Sequence, residues 1–199
     1  MTTAMDARGL IGRARLLAWL TIGWNAVEGI VAITAGVATG SVALVGFGLD
    51  SFIEVLAGGV VLWQIAGVDE NRERRALRLI GGSFFILALY VTVEAVWDLV
   101  SGAEAGDSTV GIVLAAVSLL VMPLLAFAKR RTGRRLGNPV VVADSTETLL
   151  CSYLSAILLV GLALNATVGW WWADPLAALA IAVLAFREGR KAWRGEACC

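Results

Sequence analysis

Seven carboxylates lie within stretches of chain apolar enough to cross a bilayer: Glu28, Asp50, Glu54, Glu94, Asp98, Asp144 and Glu147. Asp50 and Glu54 are four residues apart, so on a helix they project from one face. Asp144, Glu147, Cys151 and Ser155 follow a 3-4-4 spacing and line one face of another helix. An Asp at mid-bilayer costs about 2.5–3.5 kcal/mol on insertion scales, and no Lys or Arg partner is expected to be available at those depths. They must be protonated, hydrogen-bonded in pairs, or occupied by a cation. Glu94 and Asp98 sit near the outer end of their span and can reach water; the others cannot. Carboxylates and a thiol without basic neighbours are the chemistry of a divalent-cation site.

The elements that would hold these groups follow from the charge pattern. All sixteen Lys and Arg residues fall in four clusters, Arg8–Arg15, Arg72–Arg78, Lys129–Arg135 and Arg187–Arg194. Between consecutive clusters the apolar chain is long enough to cross the membrane out and back. Cytoplasmic loops accumulate Lys and Arg, so all four clusters belong on one side. The fold class expected is all-α: a polytopic bundle of six transmembrane helices with both termini cytoplasmic. The spans read as residues 16–37, 41–66, 79–100, 110–128, 139–165 and 174–187. Few residues follow the sixth, so 1–199 reads as a single transmembrane domain with no soluble domain. A composition 59% hydrophobic and 16% charged excludes a soluble protein. Residues 16–37 are too long for a signal sequence and contain Asn25 and Glu28.

Local signals punctuate the spans. Ala38-Thr39-Gly40 makes the first two a tight hairpin. Asn138-Pro139 and Asp174-Pro175 read as cap-then-first-turn pairs opening the fifth and sixth helices, and Pro123 is expected to kink the fourth. Trp170-Trp171-Trp172 reads as interfacial aromatic belt. Glycines 46, 48, 58 and 59 would let the second helix pack closely and slide.

Depth brings the carboxylates together. At 1.5 Å per residue, Asp50 lies roughly 14 Å and Glu54 roughly 20 Å from the outer surface of a core about 30 Å thick. Counted from the inner surface, Glu147 lies roughly 12 Å and Cys151 roughly 18 Å deep. The helices run oppositely, so Asp50 is level with Cys151 and Glu54 with Glu147. These four are the expected metal ligands. Asn25 and Glu28 of the first span, Asp144 at the inner mouth and Ser155 are the candidates to back them or to relay protons.

At these residues the chain resembles the transmembrane domain of the cation diffusion facilitator (cation efflux) family. Its lead-in and second-helix pattern are matched by Ser41-Val42-Ala43-Leu44 and Asp50-Ser51-Phe52-Ile53-Glu54. Its fifth-helix pattern is matched by Ala143-Asp144-Ser145-Thr146-Glu147-Thr148-Leu149-Leu150-Cys151 followed by Ser155, and its sixth-helix Asp-Pro by Asp174-Pro175. The chain departs from the pattern in having no histidine, and in placing Glu and Cys where His or Asp are usual. It resembles a membrane-only branch without the family's cytoplasmic domain. The resemblance implies efflux of a divalent metal in exchange for protons by alternating access, and a homodimer.

Ligand softness favours Zn²⁺ or Cd²⁺, with Hg²⁺, Co²⁺, Mn²⁺ and Fe²⁺ as alternatives. The metal is cargo, and no cofactor is expected. Lipid, metal ions and protons are the expected partners; nucleic acid is not. The expected location is the inner membrane. Without histidine or a nucleophile–base pair, an enzyme is not expected. The competing readings are a passive cation or proton channel and a non-transporting metal-sensing subunit, for which the terminal Cys198-Cys199 pair would be the active feature.

Overall fold

A computed structural model of the chain describes residues 4–66 and 70–194. It contains α1 (Ala4–Thr39), α2 (Val42–Ile65), α3 (Glu70–Ser101), α4 (Thr109–Leu136), α5 (Pro139–Val168) and α6 (Ala173–Arg194). No strand occurs among the described residues. Cys198 and Cys199 lie outside them.

The helices outrun the bilayer. The 36 residues of α1 extend about 54 Å, against a hydrocarbon core about 30 Å thick. All four basic clusters are helical continuations rather than loops: Arg8–Arg15 and Arg72–Arg78 lie in the first turns of α1 and α3, and Lys129–Arg135 and Arg187–Arg194 in the last turns of α4 and α6. Arg, Lys, Leu and Ala all favour helix, so nothing local ends α4 until Gly137. That glycine adopts φ 61° and its N–H returns to Arg134 and Gly133, a left-handed cap that a side chain would oppose. Asn138 then restarts the chain by accepting from the N–H groups of Val140 and Val141, with Pro139 in the first turn. Pro123 lies inside α4, which continues through it.

The helices pack as three close pairs, α1 with α2, α4 with α5 and α3 with α6. The α3–α6 pair closes against α2 and α5, and α1 lies against α4. Gly48 shows how close the pairs come: a Cβ there would lie 2.9 Å from the backbone N of Ile33 on α1. Gly46 and Gly58 are equally confined, whereas Gly59 faces open space and takes no part in packing. The interior is apolar, with Leu44, Phe47, Val91, Met122, Leu158 and Ile181 fully enclosed.

Large apolar side chains also cover the outside, among them Leu16, Ile86, Leu89, Leu120, Leu124 and Phe127. An aqueous surface would not tolerate this; lipid requires it. Five helices are long and apolar enough to cross a membrane. α6 falls short of that measure because its apolar stretch ends at Phe186, yet it packs along α3 as the sixth member of the bundle. The chain is a multi-pass, all-helical membrane protein.

Candidate metal site

Caps set the depth of the functional side chains. Ser41 precedes α2 and its Oγ accepts from the N–H of Leu44 at 3.1 Å. Ser41 Oγ also donates to Asp174 Oδ1, while the N–H of Ala43 donates to Asp174 Oδ2 at 3.3 Å. This corrects the expectation that Asp174 caps its own helix. α6 already begins at Ala173, and the Asp174 carboxylate instead serves the N-terminus of α2, where free N–H groups and the helix dipole favour an anion. Asp50 and Glu54 follow about two and a half and three and a half turns below this anchor. On α5, the Asn138 cap sets Glu147 and Cys151 two and three turns above the inner end.

Asp50, Glu54 and Cys151 are buried together, and one ligand atom of each lies within 4.8 Å of the others. A tetrahedral ion with bonds of 2.0–2.3 Å holds its ligands roughly 3.3–3.8 Å apart, so closure asks for shifts of about 1 Å. The three residues open on a cavity of about 30 Å³, which Glu147, Phe84 and Leu154 also line. That volume holds about two waters or one ion. Glu147 is half-buried and reaches the cavity wall, outside the three-residue group.

The other residues on the expected functional face divide. Ser155 Oγ donates to the Cys151 carbonyl at 2.8 Å, a bond within its own helix. Asp144 turns toward α4 and pairs with Lys129, Nζ to Oδ2 being 2.8 Å. Lys129 is 1% exposed and also donates to Thr148 Oγ1 at 3.0 Å. The expectation that no basic side chain reaches the intramembrane carboxylates therefore fails at Asp144. Lys129 begins a run of arginines that read as solvated, and its long apolar stem lets it bury where they do not.

Glu28 is enclosed between α1, α2 and α4. Its carboxylate accepts from Trp24 Nε1 at 3.3 Å, from Ser51 Oγ at 3.0 Å and from Ser118 Oγ. Three donors from three helices make it a buried polar clamp beside the cluster. Asn25, one turn away, reaches the cluster itself: Nδ2 donates to Glu54 Oε2 at 2.7 Å.

Sequence reasoning missed Glu188. It lines the same cavity from α6 and accepts from Lys191 Nζ at 2.7 Å. Surrounded by Arg187, Arg190 and Lys191, it resembles a solvated residue. The signal lay in the small-residue stripe Ala185, Gly189 and Ala192, all buried, which carries the packed face of α6 past the end of its apolar stretch.

The arrangement offers a membrane-enclosed cavity with up to four carboxylates and one thiol, suited to a divalent transition metal. Residues 78–194 match the cation efflux transmembrane domain. An uncharacterized transporter of Synechocystis is 28% identical over 179 residues, covering 84% of this chain and 58% of its own. The magnetosome protein MamB of Magnetospira is 25% identical over 182 residues, covering 86% and 60%. The cation-efflux pump FieF of Shewanella oneidensis is 26% identical over 163 residues, covering 76% and 55%. The chain thus spans under two thirds of each of these three relatives. With more than half of its length matched by that domain, the chain belongs to the cation efflux, or cation diffusion facilitator, family.

Proposed function

We propose that this protein exports a divalent transition metal, of the Zn²⁺ or Cd²⁺ type, from the cytoplasm in exchange for protons. The observation that carries the reading is the convergence of Asp50, Glu54 and Cys151 from two antiparallel helices. Two carboxylates and a thiolate carry three negative charges, enough to hold a dication, and the thiolate biases the site toward softer ions. Glu147 is the fourth ligand of the proposal, supplied from the cavity wall as the site contracts. Glu188 lies on the same cavity among the basic residues of α6, and the preference of Lys and Arg for cytoplasmic loops supports a cytoplasmic mouth there. Metal passes from that mouth to the buried cluster.

Ligands must shed protons to bind metal, so metal and protons compete for the same groups. Exposed to the outer side, the site takes up protons and releases its ion; returned inward, it does the reverse. Alternating access then couples the two flows. In this proposal the basic clusters and both termini face the cytoplasm, the bilayer is the inner membrane, and the unit is a homodimer.

The test is uptake of Zn²⁺, Cd²⁺, Co²⁺, Mn²⁺ and Fe²⁺ into proteoliposomes under an imposed pH gradient. Wild type should accumulate one or two of these ions in a gradient-dependent way, and Asp50→Ala should not. Uptake of every ion irrespective of pH would mean a passive channel. No uptake at all would leave the buried cluster a structural feature and end the transport reading.

A further inference from the structure

We propose that Asn25 is a ligand of the transported ion, through its side-chain oxygen Oδ1. The inference rests on the metal-site reading above and adds to it a donor from a third helix. Among the described residues, Asn25 Oδ1 is the buried side-chain polar atom that has no hydrogen-bond partner. Asn25 is fully enclosed, and native folds rarely leave such an atom unpartnered without a use for it. The other end of the same amide is engaged at the site, since Nδ2 donates to Glu54 Oε2 at 2.7 Å. The bond lengths of an amide then hold Oδ1 within about 5 Å of that carboxylate oxygen.

Two independent observations thus meet at one place. One is a group of three metal-competent side chains, Asp50, Glu54 and Cys151. The other is a buried amide that already touches one of them and has an idle acceptor. With Asp50, Glu54, Cys151 and Glu147 this oxygen would make a fifth donor; ligands about one such ion stand roughly 2.8–3.8 Å apart, so Oδ1 must close on the Glu54 oxygen by about 2 Å or less. The terminal torsion of Asn is broad, and its rotation supplies such a shift by exchanging the Nδ2–Glu54 hydrogen bond for coordination of the ion that Glu54 also binds. Glu28, one turn along α1, is already held by Trp24, Ser51 and Ser118. It fixes the helix from which Asn25 reaches inward.

Specificity follows from the chemistry of the donor. An amide oxygen is hard and uncharged, so it strengthens binding of Mn²⁺, Fe²⁺ and Co²⁺ relative to Cd²⁺ without adding charge. Asn25 would broaden a site that Cys151 otherwise tilts toward soft ions. It would also tie α1 to the ion, so that the α1–α2 pair and α5 share one ligand set.

The experiment loads the full purified chain with Co²⁺ and records its absorption, then measures competition by Mn²⁺ and Cd²⁺. Wild type should show thiolate-to-cobalt charge transfer from Cys151 together with visible d–d bands. In Asn25→Leu the charge transfer should persist while the d–d bands change in position and intensity. The preference for Cd²⁺ over Mn²⁺ should rise by about tenfold or more, the scale on which metal sites lose affinity when a supporting group is removed. Asn25→Asp, which keeps an oxygen donor, should retain the wild-type d–d pattern, and it serves equally should the leucine variant not fold. Unchanged d–d bands and unchanged competition in Asn25→Leu would overturn the proposal while leaving the cluster intact. An altered d–d pattern in Asn25→Asp would overturn it too, since only the N–H donation to Glu54 would then matter. Absence of charge transfer in wild type would instead remove the metal site, and this inference with it.

Discussion

Replacing Lys129 by methionine keeps most of the side-chain volume and removes the charge that faces Asp144. Both partners are buried, with side-chain exposures of 1% and 7%, and their atoms are 2.8 Å apart. Thr148 cannot take over, because its hydroxyl proton is committed to the Asp144 carbonyl at 3.0 Å. The carboxylate would be left uncompensated between α4 and α5. Breaking a buried pair from one side costs about 3–5 kcal/mol, whereas replacing both members with apolar groups is often neutral or stabilising. Lys129→Met should therefore lower the folded-to-unfolded ratio by about two to three and a half orders of magnitude. Lys129→Met/Asp144→Leu should return to within about 1 kcal/mol of wild type or exceed it. Unfolding in mixed micelles with increasing SDS, followed by tryptophan fluorescence, measures both. A single variant as stable as wild type would mean that Asp144 does not depend on Lys129. A double variant no better than the single would mean that the positions matter for packing rather than for charge.

Two further outcomes follow from the packing and the caps. Gly48→Val should separate α1 from α2 and cost about 1–3 kcal/mol or more, since the first added carbon already meets Ile33 backbone. Gly59→Ala, with open space around it, should be neutral or stabilise by up to about 1 kcal/mol; the same unfolding assay compares them, and equal effects would refute the close approach. Asp174→Ala removes the acceptor for Ser41 and Ala43 and should cost about 0.5–2 kcal/mol. Hydrogen exchange should then quicken at Ala43 and Leu44, and unchanged protection there would show that α2 is capped without help from α6.

Much of this protein could be read from its residues because a bilayer imposes simple rules. A spanning segment must be about twenty apolar residues long and helical, since no water is present to satisfy its backbone. Lys and Arg then report sidedness, and rise per residue converts sequence position into depth. That arithmetic put Asp50, Glu54, Glu147 and Cys151 in one layer as the expected ligands; the structure gathers Asp50, Glu54 and Cys151 and leaves Glu147 on the wall of the same cavity. It could not tell which neighbouring helix each side chain meets. Asp144 shares a helical face with Glu147 in sequence terms, yet α4 presents Lys129 to one and the cavity opens on the other.

The residues that escaped sequence reasoning are those whose chemistry depends on a partner far away in the chain. Asp174 is a capping residue in any reading, but only the packing of α6 beside α2 makes it the cap of another helix. Glu188 and Lys129 both sit in basic clusters that look solvated, and each is drawn inward by the helix on the other side. By itself the sequence determined the helices, their membrane character and the position of each carboxylate along its helix, because these depend on composition and spacing along one chain. Which carboxylates face the cavity, which are ion-paired and which amide oxygen is left without a partner were decided by tertiary structure. Those properties belong to pairs of helices, and spacing along one helix carries no record of its neighbour.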